Sequence, residues 1–192
     1  MKKIAYIIPG FQESHTRQKG YDKIAGYFAE RDIKPIHVEI DWNSPPKGDF
    51  LNYIRQFRKQ YKPGKAQTYI LGFSFGAFTA FLSESQTRPK ALILCSLSPF
   101  FKEDIPRLRP SWRKNWEKNY LPNDYSFNQL AQKIKAKTYI CVGDKEGLEC
   151  EGRARGAKRY IKQSSLTIAK GARHRVSQKE YLISLKKIIA KL

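Results

Sequence analysis

A chain of 192 residues can bury one substantial core and is too short for two comfortable ones, so a single domain over 1–192 is expected. No stretch approaches the roughly 18 consecutive apolar residues of a membrane span, and the opening MKKIAYIIPG lacks a signal-peptide pattern. The formal net charge of +20 would draw acidic partners of any kind and is silent about fold, with a solvated basic surface as the plainer alternative.

In chain order, the run KIAYIIP at 3–9 reads as a buried strand, and Tyr21, Ile24, Ala25 and Phe28 follow at helical spacing. KPIHVEI at 34–40 predicts a second strand, and Phe50, Tyr53, Ile54, Phe57 and Tyr61 mark one face of a second helix. QTYILGFS at 67–74 leads into the helix-like AFTAFLSES at 77–85, and KALILCSLS at 90–98 supplies a fourth strand. The rhythm then breaks. Pro99 to Pro122 is aromatic, basic and punctuated by proline, which fits either a lid inserted at 99–122 or a surface loop anchored by Trp112 and Trp116. KTYICVGD at 137–144 and SSLTIAKG at 164–171 complete six strand-like runs, and Tyr181, Leu182, Leu185, Ile188 and Ile189 form the face of a last helix. Strands alternating with helices predict an α/β fold: a mostly parallel sheet of about six strands with helices on both faces.

Cys95, Cys141 and Cys150 are an odd set without metal-ligand spacing, and two of them sit in strand-like runs, so reduced thiols and a cytoplasmic location are expected. No zinc-finger spacing, RNP-like stretch or helix-turn-helix pattern accompanies the basic charge, so no specific nucleic-acid binding is expected. Within that charge, Arg153, Arg155, Lys158, Arg159 and Lys162 cluster, with Lys170, Arg173 and Arg175 close behind. Helical spacing would put Arg155, Arg159 and Lys162 on one face, either solvated or docking an acidic protein.

Gly72-Phe73-Ser74-Phe75-Gly76 lies between a strand-like run and a helix-like run, the context that a nucleophile elbow requires. Such a turn strains the serine backbone and exposes its hydroxyl above the sheet, while glycines let neighbouring backbone approach. A serine hydroxyl needs a base, most often histidine held by a carboxylate. The three histidines differ in placement. His15 lies in a polar stretch after the first strand, and His37 is inside the second, where a structural role is expected. His174 follows the last strand, at the same sheet edge as Ser74, and is the candidate base. The loop after KTYICV offers two carboxylates, Asp144 and Glu146.

This order of elbow serine, acid after a later strand and histidine after the last strand resembles the α/β-hydrolase superfamily over nearly the whole chain. The family pattern places the acid three residues after the glycine that ends its strand, which selects Glu146 and leaves Asp144 as a turn residue. It also implies oxyanion donors in the backbone amides of Phe11 and Phe75, although Pro9-Gly10 stands where the family often has His-Gly. Phe73, Phe100 and Trp112 are candidates for contact with an acyl group, alongside Phe11, Phe75, Phe101 and Trp116, against ordinary core packing for each. The resemblance implies a serine esterase or thioesterase acting through an acyl-serine, with no metal or organic cofactor. Its substrate would be a small-molecule ester or one linked to an acidic carrier such as acyl carrier protein. Acyl transfer, or a non-catalytic binding module on the same scaffold, are the alternatives.

Overall fold

The computed structural model describes residues 1–14, 19–45, 48–120 and 124–192. Within them, β1 (Lys3–Ile8), β2 (Lys34–His37), β3 (Gln67–Phe73), β4 (Ala91–Cys95), β5 (Lys137–Gly143) and β6 (Ser164–Ala169) form one six-stranded sheet. Every pairing is parallel, and the order is β2-β1-β3-β4-β5-β6. The sheet is therefore the one that the alternating runs predict.

Side chains on a strand alternate between faces, so a strand covered on both sides must be apolar at nearly every position. One face carries Tyr6, Ile8, Ile70, Leu92, Leu94, Ile140 and Val142, which pack with α2 (Phe50–Gln60), α3 (Phe75–Thr87) and α6 (Leu148–Tyr160). Ala5, Ile7, Tyr69, Leu71, Phe73, Ile93, Cys95 and Cys141 face the other way, against α1 (Lys19–Ala29) and α7 (Lys179–Ile189). Helix α2 starts where the Asp49 carboxylate accepts the Leu51 N–H, and it buries Phe50, Tyr53, Ile54 and Phe57. Helix α3 sits over the sheet centre and is buried nearly all round by Phe75, Ala77, Phe78, Ala80 and Phe81.

Two sequence boundaries shift. Strand β2 stops at His37 instead of running to Ile40, because Val38 N–H still donates to Ile7 but the next position on β1 is Pro9, which has no N–H to offer. Helix α6 ends at Tyr160, so Lys162 lies beyond it and does not share a helical face with Arg155 and Arg159. Arg153 is not a surface cation either: it is 9% exposed, bonded to Asp104, and lies over the Phe127 ring at 4.0 Å.

The segment after β4 holds a 3-10 turn, Ile105–Arg107, and helix α4 (Pro110–Asn119). Its buried side chains include Leu97, Phe101, Leu108 and Trp116. Trp116 stacks on Phe100 at 4.7 Å and on Phe50 at 5.8 Å, which ties α4 to the first turn of α2. Trp112 stays partly exposed, with the Arg109 guanidinium 4.4 Å above its ring. The short helix α5 (Phe127–Ala131) follows, capped by Ser126.

Candidate active site

From β1 the chain runs outward to β2 and then returns across to β3 on the other side of β1. The carboxyl ends of β1 and β3 therefore flank the point where the winding reverses, the place where open parallel sheets leave a crevice for ligands. Ser74 stands there, between the last residue of β3 and the first of α3. Its backbone is at φ 54° and ψ −116°, a conformation costly for a residue with a side chain.

The two glycines of the motif make that turn sterically feasible. A Cβ on Gly72 would lie 2.2 Å from the Gly76 carbonyl oxygen, and one on Gly76 would lie 2.3 Å from that of Ile8. Any side chain at Gly76 would thus push α3 away from the end of β1. Held close, the loop after β1 brings the Phe11 ring to 5.3 Å from that of Phe75. Phe75 opens α3, and first-turn N–H groups have no partner within their own helix.

His174 lies in the loop between β6 and α7, with Nε2 3.0 Å from Ser74 Oγ and Nδ1 2.7 Å from Glu146 Oε2. The loop is placed by a third close approach: a Cβ on Gly143 would sit 2.3 Å from the Ala172 carbonyl oxygen. Glu146 has a side chain that is 0% exposed, and its Oε1 accepts from Gly143 N–H and from the Ser96 hydroxyl, each at 2.7 Å. A buried carboxylate with three donors is well compensated. Because it only accepts, the shared proton belongs on Nδ1, and the lone pair on Nε2 faces the serine.

Ser96 and Tyr181 extend this network. The Ser96 backbone is also at positive φ, 49°, and its Oγ lies 2.6 Å from the Tyr181 hydroxyl. That hydroxyl reaches the Cys141 carbonyl at 3.0 Å, which also accepts Ser96 N–H at 2.8 Å. Burial holds the Tyr181 hydroxyl well above its ordinary range, so it stays protonated as a donor. Neither residue stands out in the sequence. Ser96 follows the strand beside β3, a position from which side chains reach the crevice, whereas Tyr181 reads as one more core residue of α7.

Other expected residues take varied places. Asp144 is exposed and accepts Gly171 N–H at 2.8 Å, so it does not touch His174. Phe73 is 1% exposed and packs between His174, ring to ring at 5.0 Å, and Tyr181 at 5.6 Å, behind the imidazole. Phe100 is partly exposed and meets Phe75 at 5.4 Å, on the Ser74 side. Trp112 lies one ring farther out, 6.5 Å from Phe100. Phe75, Phe101 and Trp116 are buried in the core cluster. His37 approaches Asp22 at 3.7 Å, and His15 lies outside the described residues. Burial pushes the Cys141 thiol up to about 12, and burial together with Glu146 and Glu149 does the same to Cys150, so neither is a nucleophile near neutral pH.

No family model matches the chain, and no curated protein sequence does. Solved structures match over nearly its full length. An α/β-hydrolase enzyme from a sediment metagenome of the Mar Chica lagoon, Morocco, is 18% identical, with a TM-score of 0.76 over 100% of this chain and 90% of that one. The chain has the α/β-hydrolase fold. Est1E from Butyrivibrio proteoclasticus, with ferulic acid bound, is 13% identical, with a TM-score of 0.77 over 98% of this chain and 87% of that one. The thioesterase domain from the curacin biosynthetic pathway is 14% identical, with a TM-score of 0.70 over 100% and 92%. In an α/β-hydrolase fold the chain order serine, acid, histidine is the usual one, and it is the order of Ser74, Glu146 and His174 here.

Proposed function

We propose that this protein is a serine hydrolase that cleaves a carboxylic ester or thioester through an acyl-serine intermediate. The observation that carries this reading is His174 bridging Ser74 Oγ and the buried Glu146 carboxylate, at 3.0 Å and 2.7 Å. Nε2 would take the hydroxyl proton as Oγ attacks the carbonyl carbon, and the imidazolium would be stabilised by Glu146. The amides of Phe75 and Phe11 would bind the oxyanion from two sides of the crevice. His174 would then protonate the leaving alcohol or thiol, and water would reverse the sequence to free the acid.

Phe100, Phe11 and Phe75 border the crevice on the acyl side, whereas Phe73 holds the imidazole from behind and is assigned to positioning rather than to substrate. Trp112, at the outer end of the aromatic row, would meet only a longer acyl chain. Exposed Arg173 and Arg175 flank His174, and exposed Lys145 precedes Glu146. A cavity of about 720 Å³ beside α6 is lined by Arg107, Arg109, Arg153, Arg155 and Arg159. Three of these arginines are paired, with Glu149, Asp104 and Glu151. The positive charge of Arg173, Arg175 and Lys145 beside the base favours an anionic substrate, or one presented by an acidic carrier protein.

A fluorophosphonate probe tests the chemistry directly, since only an activated serine reacts. One probe per chain is expected, with labelling lost in Ser74→Ala and the thermal transition retained. Labelling that survives in Ser74→Ala would remove this serine from the mechanism.

A further inference from the structure

Among the described residues, one group of metal-ligating side chains converges: Glu146, Cys150 and His174, whose donor atoms all lie within 4.8 Å of one another. Two of the three belong to the proposed catalytic set. Cys150 does not. It is the third residue of α6, 2% exposed, a free cysteine one helical turn beyond Glu146. Packing alone would be served by alanine or valine there. A thiol instead adds a soft donor beside a carboxylate and an imidazole, whose combination suits a tetrahedral zinc ion with a water in the fourth position.

We propose that Glu146, Cys150 and His174 form an inhibitory site for a soft divalent cation, zinc above all, that disables the serine–histidine pair. The inference rests on reading His174 as the base. Donors around tetrahedral zinc, bound at about 2.0–2.3 Å, are about 3.3–3.7 Å apart. Donor separations of up to 4.8 Å must therefore close toward that range, and the 2.7 Å contact between Nδ1 and Oε2 must open slightly to admit the ion. His174 can supply this movement, because it lies on a loop and its side chain is 41% exposed.

The protons balance without any electron transfer. Zinc on Nδ1 displaces that proton, and the neutral imidazole carries its single proton on Nε2 instead. The Cys150 thiol releases one proton to water as Sγ binds the metal. Nε2 then faces Ser74 as a donor and can no longer accept the hydroxyl proton, so attack on substrate stops. Magnesium and calcium, which prefer oxygen donors, should have no such effect.

Cobalt(II) added to the purified full chain reports ligation without reference to activity, through its thiolate charge-transfer absorption. That band is expected at one cobalt per wild-type chain, displaced by zinc, and absent in Cys150→Ala and in the nearly isosteric Cys150→Ser. With an ester substrate, zinc should lower the wild-type rate at least tenfold, with recovery on chelation. Cys150→Ala, active at the wild-type rate without metal, should keep its rate at the same zinc concentration. Absence of the thiolate band in the wild type, or equal zinc sensitivity of wild type and Cys150→Ala, would overturn the site. A cobalt band in a protein whose Ser74 takes no fluorophosphonate would instead keep the site and overturn the catalytic reading.

Discussion

Glu146 accepts three hydrogen bonds on two oxygens, and the one from Ser96 is the least expected. Removing it leaves Oε1 with Gly143 N–H alone, so the carboxylate can rotate and carry the imidazole out of line. A hydrogen bond to a charged group is worth about 1.5–3 kcal/mol, and its lower end corresponds to about tenfold in rate. Ser96→Ala is accordingly expected to lower kcat about tenfold at nearly constant KM, and a fall in KM alone would contradict this positioning role. Glu146→Gln should cost far more, on the order of 10³–10⁴-fold in kcat, because an amide can present an N–H to Nδ1 and impose the wrong tautomer. Asp144→Asn should leave the rate near wild type, as its carboxylate caps the Gly171 turn. Steady-state kinetics on all three variants ranks them. Ser74 and His174 were legible in the sequence because a strand-to-helix turn and a post-strand loop fix where a residue ends up. Asp144 and Glu146 share one loop, and only the fold of that loop decides which faces the histidine.

At the scale of elements, close backbone approaches do most of the positioning. Gly143→Ala would drive a methyl group into the Ala172 carbonyl and displace the loop that carries His174. The expected result is a large loss of activity with the sheet retained, seen as weak fluorophosphonate labelling beside near-normal circular dichroism. The aromatic segment after β4 divides between packing and exposure. Trp116→Ala should destabilise by about 3–5 kcal/mol, the usual cost of deleting a buried large aromatic. Trp112→Ala should cost far less stability and instead shift acyl-length preference, which denaturant midpoints and an ester series will separate. A row of aromatics in sequence does not reveal this division, because it depends on which rings α2 and α3 happen to meet. Nearby, Glu103 caps α5. Burial raises its pKa, but hydrogen bonds from Ser126, Phe127 and Asn128 outweigh this and lower it overall. Its stabilisation should thus be present above the unfolded carboxyl value of about 4.3, and be lost as pH falls through the lower folded value. Glu103→Gln should lower the melting temperature at pH 7, and the difference from wild type should shrink as the pH is lowered below about 4.3.

For the whole molecule, the alternating runs specified a parallel sheet of the observed size, since strands buried on both faces leave an unambiguous apolar signature. Surface organisation was less visible. Arg153, grouped by sequence with the basic cluster, is buried against Phe127 because β4's excursion folds back over α6. The net charge of +20 still sets a long-range field. With a carrier-linked acidic substrate, kcat/KM should fall steeply as salt shortens the Debye length from about 10 Å at 0.1 M to about 3 Å at 1 M. A neutral ester should show a shallow slope, and Arg173→Glu/Arg175→Glu should flatten the steep one. Equal slopes for both substrates would deny the charge a role in recognition.

Ser74 and His174 stand 100 positions apart, on opposite sides of two strands that must join the sheet between them. At a synthesis rate of about 5–20 residues per second, the ribosome adds that interval in roughly 5–20 s. Throughout that time β1 and β3 can pair and the elbow can form, yet the serine has no base. His174 arrives only with β6, and α7 must then dock against α1 to hold its loop. On the proposed reading, hydrolysis would therefore switch on only once β6 and α7 have been made and docked, so that a chain cut before His174 would carry a well-formed elbow and be chemically silent.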